Sequence, residues 1–202
     1  IMQRLRPAVL SASVLALLAL SGCAGTGSDL GRDPAVPEWA RAIPTEPVAL
    51  AVCKAKREMV VLRDGVPHET LGVALGQAPE GQKRRQGDKR TPEGVYRICR
   101  VKPSKYRSFL WLDYPNQGDA RRALGDGRLS TGDYQRILAS TLAGSCPPAD
   151  TALGGLVGIH GDYEEPPRRY DWTEGCIAMV SNRDLERLKT VVRPGTPVAI
   201  FP

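Results

Sequence analysis

The chain has 202 residues, a length that fits one globular domain with short extensions, and its hydrophobic fraction of 42% is sufficient for a buried core. Aromatic residues make up only 5%, and the 21 glycines and 17 prolines indicate many turns, which argues against a helical bundle. The formal net charge of +6 favours anionic partners, but no basic stretch is interleaved with aromatic residues, so nucleic-acid binding is not expected.

The first 22 residues have the pattern of a secretory signal. Arg4 and Arg6 form a short basic start, and an apolar run too short to span a bilayer comfortably follows them. Residues 20–23, with the sequence Leu-Ser-Gly-Cys, resemble the lipobox of bacterial lipoproteins, in which the cysteine is lipidated. We therefore expect a lipid on Cys23. The alternative is an ordinary signal peptide that is cut nearby and leaves Cys23 unmodified.

Lipidation of Cys23 implies a membrane-anchored protein that faces the periplasm. Ala24 follows the cysteine in place of the Asp associated with inner-membrane retention, so the resemblance favours the outer membrane of a Gram-negative cell. Removal of residues 1–22 lowers the net charge from +6 to +4, which still attracts the protein to anionic surfaces such as the cell wall. Residues 23–45 lack any period and predict a flexible tether, which leaves residues 46–202 as one folded domain.

The first half of this domain has the pattern of antiparallel strands. Residues 48–53 and 59–62 are short β-prone runs, and Asp64-Gly65 before the apolar run 71–75 is a strong hairpin signal. Residues 76–94 are rich in Gly, Pro, Lys, Arg and Asp, and they predict a long basic loop. Such a loop inside a compact domain is often functional, although a solvated run of charges is the alternative.

The second half combines further strands with two short helices. Strands are predicted at residues 95–101, 156–159 and 196–201. Amphipathic helices are predicted at residues 130–142 and from Ser181 or Asn182 to about Val191, each with a capping side chain at its start. The fold class is therefore mainly β, a β-rich α+β domain with a few short helices.

The chain has only two histidines, and they lie in different settings. His68 lies in a polar stretch and is expected on the surface. His160 follows an apolar strand and precedes Gly161, at a strand end of the kind that often carries reactive side chains. Two scattered histidines without paired cysteine spacing form no metal-ligand set, so neither a metal nor another cofactor is expected.

Cys176 lies in the segment Thr173-Glu174-Gly175-Cys176, sixteen residues after His160. Cysteine attack on an amide requires a thiolate, a base that forms it and donors for the developing oxyanion. Gly175 would let the backbone approach a substrate closely, and amide groups near Gly175 and Cys176 could act as these donors. A small buried hydrophobic residue is the alternative interpretation of Cys176.

A family resemblance favours the catalytic interpretation. Residues 159–161 (Ile-His-Gly) and 173–179 (Thr-Glu-Gly-Cys-Ile-Ala-Met) resemble the signature of the L,D-transpeptidase (YkuD-like) family. Three supporting segments occur in the expected order, and they are residues 87–96 (Gly-Asp-Lys-Arg-Thr-Pro-Glu-Gly-Val-Tyr), 114–116 (Tyr-Pro-Asn) and 194–198 (Pro-Gly-Thr-Pro-Val). The resemblance covers residues 48–202 and implies a β-sandwich or barrel of the L,D-transpeptidase type.

The resemblance also implies the roles of the site residues. Cys176 becomes the nucleophile, His160 its base, Gly175 part of the oxyanion loop, and Gly161 the carrier of the carbonyl that orients the histidine. The implied substrate is a peptidoglycan tetrapeptide stem, from which the terminal D-Ala leaves before the acyl group passes to an amine. The implied partners are stem peptides and, through the lipid, the outer membrane, and the protein is expected to be a monomer.

Two positions depart from the family pattern. Glu174 replaces a frequent His, and Ala178 replaces a frequent Arg that is a plausible clamp for the substrate carboxylate. Thr173, Glu174, Arg168 and Arg169 are the predicted substrate-binding residues, with the basic loop at Lys83, Arg84 and Arg85 as a further substitute for the missing Arg. The variant is closer to the YafK-like branch, where hydrolytic members that cut protein-to-wall links are known.

Three functions remain open at this point. The leading one is a peptidoglycan L,D-transpeptidase in cell-wall crosslinking or remodelling. The second keeps the Cys–His pair but passes the acyl group to water, as an L,D-carboxypeptidase or endopeptidase. The third, a wall-binding module without catalysis, predicts loss of His160 or Cys176, and both are present.

The remaining cysteines limit the number of disulfides that can form in an oxidising compartment. If Cys23 is lipidated and Cys176 is free, Cys53, Cys99 and Cys146 remain, and these three allow at most one internal disulfide. Their spacing does not decide which pair forms.

Overall fold

The structure is a computed structural model that describes residues 46–202. The predicted signal peptide (1–22), the lipidation of Cys23 and the tether (23–45) lie outside the described residues. Within them the chain forms eight strands and three helices. The strands are β1 (Val48–Cys53), β2 (Glu58–Arg63), β3 (Val66–Ala74), β4 (Gly94–Ser104), β5 (Arg107–Leu112), β6 (Gly158–His160), β7 (Ile177–Met179) and β8 (Pro197–Phe201). The helices are α1 (Gln117–Gly125), α2 (Thr131–Leu142) and α3 (Asn182–Val191).

The eight strands close into a barrel in the order β1-β2-β3-β7-β6-β5-β4-β8. The first three strands are antiparallel neighbours, which confirms the predicted meander. Two pairs are parallel, β1 with β8 and β6 with β7. The predicted fold class, mainly β with a few short helices, is confirmed.

Three elements were not predicted from the sequence. Strand β5 pairs with both β4 and β6, and β7 has only three residues, too few to show a period. Helix α1 buries only Asp119 and two alanines, so its apolar face has little contrast with its polar face. Its start is nevertheless well defined, because Asn116 and Asp119 form a reciprocal capping box. None of the helices in residues 46–202 has both the length and the apolar character needed to cross a bilayer.

The barrel interior is the hydrophobic core. Alternate residues of the strands point inward, as in Leu50 and Val52 of β1 or Ile159 of β6 and Ile177 of β7, and all four are fully buried. Helix α3 closes one side of the core with Leu185 and Leu188. A second, small cluster lies between α1, α2 and the following loop, and it consists of Ala120, Ala123, Leu129, Ile137 and Leu153.

A disulfide joins Cys99 of β4 to Cys146, which follows α2. It connects the small helical cluster to the barrel and answers the question that the spacing left open. The bridge spans 47 residues, and closing a loop of that length stabilises a fold by about 4 kcal/mol in the chain-entropy model. In the part of the chain that the structure describes, Cys176 is the cysteine with a free thiol.

Candidate active site

The parallel pair of β6 and β7 brings the two motif residues together. Ile159 is opposite Ile177 and His160 is opposite Ala178, so Cys176, one residue before β7, is level with Gly158. Because side chains alternate between the faces of a strand, His160 and Cys176 project from the same face, while Ile159 and Ile177 point into the core. Two segments sixteen residues apart in sequence thus present an imidazole and a thiol on one face of the sheet.

The imidazole of His160 has a fixed tautomer. Its Nδ1 lies 2.6 Å from the carbonyl oxygen of Gly161, which only accepts hydrogen bonds, so Nδ1 carries the proton and donates. The unprotonated Nε2 is then the basic nitrogen. The Gly161 carbonyl is therefore where the family resemblance placed the orienting group.

Glycine is required at position 161 because the backbone is tightly packed there. A Cβ at this position would lie 2.5 Å from Oδ1 of Asn182, the first residue of α3. The same oxygen accepts a hydrogen bond of 2.9 Å from the amide of Asp162. Helix α3 therefore holds the turn that carries the orienting carbonyl.

Three aromatic side chains surround His160. The ring centroids of Tyr106 and Trp172 lie 4.8 and 5.5 Å from the imidazole, and Phe109 stacks at 6.3 Å. The buried imidazole loses water around its charged form, and this desolvation lowers the pKa of His160. The neutral imidazole, the form that can accept a proton, is favoured at neutral pH. These aromatic residues were not predicted, because two of them belong to or adjoin the missed strand β5.

The thiol of Cys176 faces the segment that precedes β6. It donates to the carbonyl oxygen of Leu156 over 3.6 Å. Burial raises the pKa of the Cys176 thiol to about 11, against the opposing effects of a hydrogen bond with the Gly158 backbone and of the Lys83 charge. Both shifts favour the neutral forms at neutral pH, a thiol on Cys176 and an imidazole on His160.

The loop before Cys176 is held by the hydroxyl of Thr173. This hydroxyl donates 2.7 Å to the carbonyl of Cys176 and accepts 3.1 Å from the amide of Gly175. Gly175 has φ +127°, a conformation that favours glycine, and a Cβ there would lie 2.6 Å from the carbonyl oxygen of Arg90. Because the Gly175 amide is already bonded, the Cys176 amide is the candidate oxyanion donor of this loop.

The same loop is anchored to the end of β3. The amide of Thr173 donates to the carbonyl of Leu75, and the carboxylate of Asp171 accepts 2.8 Å from the Leu75 amide. Arg57 pairs with the same carboxylate at 2.8 Å. Cys176 is thus carried on a short loop, residues 171–176, that hydrogen bonds fix to the barrel. A reactive side chain needs such a rigid support to keep its geometry.

Arg168 organises the connection between β6 and β7. Its guanidinium donates twice, at 2.8 Å each, to the buried carboxylate of Asp162, and it lies 3.5 Å over the ring of Trp172. This bidentate pair holds the pKa of Asp162 well below its usual range. Sequence reasoning missed Asp162, although a carboxylate two residues after His160 is a usable signal.

The four predicted substrate-binding residues have different environments. Thr173 is buried, and its hydroxyl is hydrogen-bonded within residues 171–176, here called the nucleophile loop. Arg168 is paired with Asp162. Arg169 is exposed, and the Glu174 side chain is 70% exposed beside Lys89, 3.8 Å away. A role in substrate binding stays a prediction for all four. His68, predicted on the surface, is exposed on β3.

A cavity of about 360 Å³ opens beside Cys176. Its walls come from the basic loop, from the segment before β6 and from the nucleophile loop, and they comprise Lys83, Gln86, Gly87, residues 153–157, Glu174 and Cys176. Three glycines in this lining leave room for a small ligand group next to the thiol. A thiol in the cavity wall, with a candidate oxyanion donor on the same loop and an imidazole on the same face of the sheet, is an arrangement suited to acyl transfer.

Comparison with known proteins supports this interpretation at the level of the family. Residues 47–200 match the family model of the YkuD L,D-transpeptidase catalytic domain. No curated protein sequence matches the chain.

Two solved structures are similar in fold. The helical cell shape determining protein Pgp2 from Campylobacter jejuni is 21% identical with a TM-score of 0.54, over 78% of this chain and 48% of that one. Bd1075 from Bdellovibrio bacteriovorus is 17% identical with a TM-score of 0.50, again over 78% and 48%. The chain thus spans about half the length of these proteins, and at such identities the likeness concerns the fold. Because the family model covers most of the sequence, the chain belongs to the YkuD family of L,D-transpeptidase catalytic domains.

Proposed function

We propose that this protein is a peptidoglycan L,D-transpeptidase that works through a cysteine acyl-enzyme, with Cys176 as nucleophile and His160 as base. The observation that carries this proposal is the parallel register of β6 and β7, which presents both side chains on one face. The donation from His160 Nδ1 to Gly161 supports it further, because it leaves Nε2 to act as the base. The substrate class, tetrapeptide stems in cell-wall crosslinking or remodelling, comes from the family.

The first half of the reaction forms a thioester. Nε2 of His160 takes the Cys176 proton, and Sγ attacks the carbonyl carbon between the L-centre of the third residue and D-Ala. The oxyanion then accepts a hydrogen bond from the amide of Cys176. When the C–N bond breaks, the proton on Nε2 passes to the departing amine, and D-Ala leaves with both electrons of that bond.

The second half returns the enzyme to its resting state. An acceptor amine attacks the thioester carbonyl and gives one proton to Nε2 of His160. The C–S bond then breaks, and the proton returns to the Cys176 sulfur. Water in place of the amine gives hydrolysis by the same steps, so access of the acceptor determines the outcome.

Export of the protein is part of the proposal. The N-terminal sequence, with its signal pattern and Cys23, supports a lipid-anchored protein in the periplasm, at the outer membrane. The Cys99–Cys146 disulfide adds support, because such bonds persist in oxidising compartments and are rare in the cytosol. Peptidoglycan lies in the same compartment.

Product analysis with a defined donor and acceptor tests the proposed reaction. Purified protein is incubated with disaccharide-tetrapeptide and a D-amino acid, and separately with crosslinked and protein-linked muropeptides, and the products are identified by mass spectrometry. We expect exchange of the terminal D-Ala by wild type and none by Cys176→Ala. Shortened stems or released peptides without exchange would instead assign the protein to the hydrolases.

The two histidines provide a matched control. His160→Gln is expected to lower turnover by a factor of about 10² to 10⁴, the usual contribution of a general base. His68→Gln changes the other histidine, which is exposed on β3, and is expected to leave turnover unchanged. Equal effects of the two substitutions would contradict the role of His160.

A further inference from the structure

Lys83 is a buried cation in a loop whose other basic residues are exposed or half-buried. It is 7% exposed, whereas the neighbouring Arg84 and Arg85 lie on the surface. Its ammonium donates to the Asp88 carboxylate at 2.6 Å and to the Arg85 carbonyl at 3.1 Å. Burial of a charged amine is costly even when it is paired, so its retention at this position requires an explanation.

Asp88 builds the local structure that holds Lys83 in place. One carboxylate oxygen accepts from the Lys83 ammonium and from the Arg90 amide, and the other accepts from the amides of Arg84 and Arg85. These bonds lower the pKa of Asp88, so it is charged at neutral pH. The basic loop is therefore folded around an ion pair.

This ion pair lies against the nucleophile loop. A Cβ built on Gly175 would be 3.5 Å from Nζ of Lys83, and Lys83 and Cys176 line the same cavity. Lys83 is the one cation among the described residues of that lining. The acid of the lining, Glu174, is largely exposed and faces Lys89, so it does not neutralise Lys83.

We propose that the ammonium of Lys83, held by Asp88, is a positioning residue that stabilises the negative charge developing on the Cys176 sulfur during proton transfer to His160. Because Lys83 is buried, water screens its positive charge less than it would screen an exposed charge. The Lys83 charge lowers the pKa of the Cys176 thiol, whereas burial, the larger effect, raises it. The inference rests on the proposed function only in taking Cys176 as the nucleophile.

The test measures thiol reactivity without any peptidoglycan substrate. The rate of Cys176 alkylation by iodoacetamide, which carries no charge, is followed against pH in the full-length protein, with adducts located by peptide mass spectrometry. Lys83→Met is expected to raise the thiol pKa by about one unit and to lower the alkylation rate at neutral pH about tenfold. Lys83→Arg keeps the charge and is expected to restore most of the rate.

Lys56→Met is the matched control. It makes the same substitution at an exposed position in the turn between β1 and β2, so the alkylation profile is expected to stay that of wild type. Folding of each variant is checked by circular dichroism and thermal unfolding. A folded Lys83→Met protein with the wild-type alkylation profile overturns the proposal. If that protein nevertheless fails to turn over stem peptides, Lys83 binds a substrate carboxylate instead.

Asp88→Asn decides the question if Lys83→Met does not fold. It keeps the ammonium and removes its counter-charge, so the alkylation rate is expected to rise several-fold above wild type. A general loosening of the basic loop would change the alkylation rate in the same direction in Lys83→Met and Asp88→Asn. It therefore does not explain opposite effects of the two substitutions. An unchanged rate in Asp88→Asn contradicts the proposal, and so does a lower rate that the double variant Lys83→Met/Asp88→Asn does not lower further. Because neither arm uses turnover, failure here is distinct from failure of the proposed reaction.

Discussion

The hydroxyl of Thr173 donates a hydrogen bond of 2.7 Å to the carbonyl oxygen of Cys176 and accepts one from the amide of Gly175. This single oxygen closes the turn that carries the nucleophile. The turn also positions the amide of Cys176, the candidate oxyanion donor. We therefore expect Thr173 to act on turnover through the geometry of this turn.

Thr173→Val is expected to lower turnover by a factor of about 10 to 100, because it leaves a buried amide unpaired at a cost of about 1–3 kcal/mol and loosens the turn. Thr173→Ser keeps the hydroxyl and is expected to stay within a few-fold of wild type. Steady-state kinetics on tetrapeptide stems measure both variants. A loss in Thr173→Ser with Thr173→Val unchanged would show that the methyl packing matters, and not the hydroxyl.

The resting site is expected to hold a neutral thiol. Burial raises the pKa of Cys176 to about 11 and lowers that of His160, so neither group is charged at neutral pH. The ultraviolet absorbance of the thiolate, taken as the difference between wild type and Cys176→Ser, should therefore rise only in alkaline solution. A thiolate signal already present at neutral pH would indicate a pre-formed ion pair with His160.

Asp113 is expected to make stability depend on pH. Burial raises its pKa to about 6, while its carboxylate accepts a hydrogen bond from the Arg97 amide. A folded-state pKa above the unfolded value of about 4 means that the folded protein binds more protons between these two pH values. The contribution of Asp113 to stability is thus lost as the pH rises through about 6.

Asp113→Asn keeps the acceptor and removes the charge. It is expected to increase the free energy of unfolding by about 1–2 kcal/mol at neutral pH, with a gain that vanishes near pH 4. Denaturant titrations at the two pH values measure this difference. A gain of equal size at both values would mean that burial of the charge is not its cause.

The disulfide should stabilise the fold rather than the chemistry. Replacing Cys99 and Cys146 by Ser is expected to lower the free energy of unfolding by about 4 kcal/mol, since the bridge closes 47 residues. Turnover, measured well below the new melting temperature, should remain, because neither cysteine lines the cavity beside Cys176. Loss of turnover in a folded double variant would reveal a coupling to the site.

Sequence patterns predicted those parts of the fold that depend on local order. The antiparallel start, with its Asp64-Gly65 turn, and the capped helices α2 and α3 follow from short-range signals. Strand β7 was missed because three residues show no period, and β5 because strand pairing on both sides determines its position. The register that sets His160 beside the Cys176 strand is likewise a long-range property.

The site was likewise predictable where it depends on residues that are close in sequence. The motif residues and the Gly161 carbonyl are close in sequence, so the resemblance was sufficient to find them. The basic loop, by contrast, has the composition of a solvated segment, and nothing local in it indicates that Asp88 folds it inward and buries Lys83. Arg168 likewise lies in a polar segment that is typical of exposed cations, yet its guanidinium forms an ion pair with Asp162.

Detection of an acyl-enzyme would show whether Cys176 forms a thioester with the stem peptide. Wild-type protein is mixed with disaccharide-tetrapeptide in the absence of an acceptor amine, quenched in acid, and examined by intact-mass and peptide mass spectrometry. We predict an adduct equal to the substrate minus D-Ala, located on Cys176, absent from Cys176→Ala and strongly reduced in His160→Gln. Turnover by Cys176→Ala, or an adduct on any other residue, would contradict the assignment of Cys176 as the nucleophile.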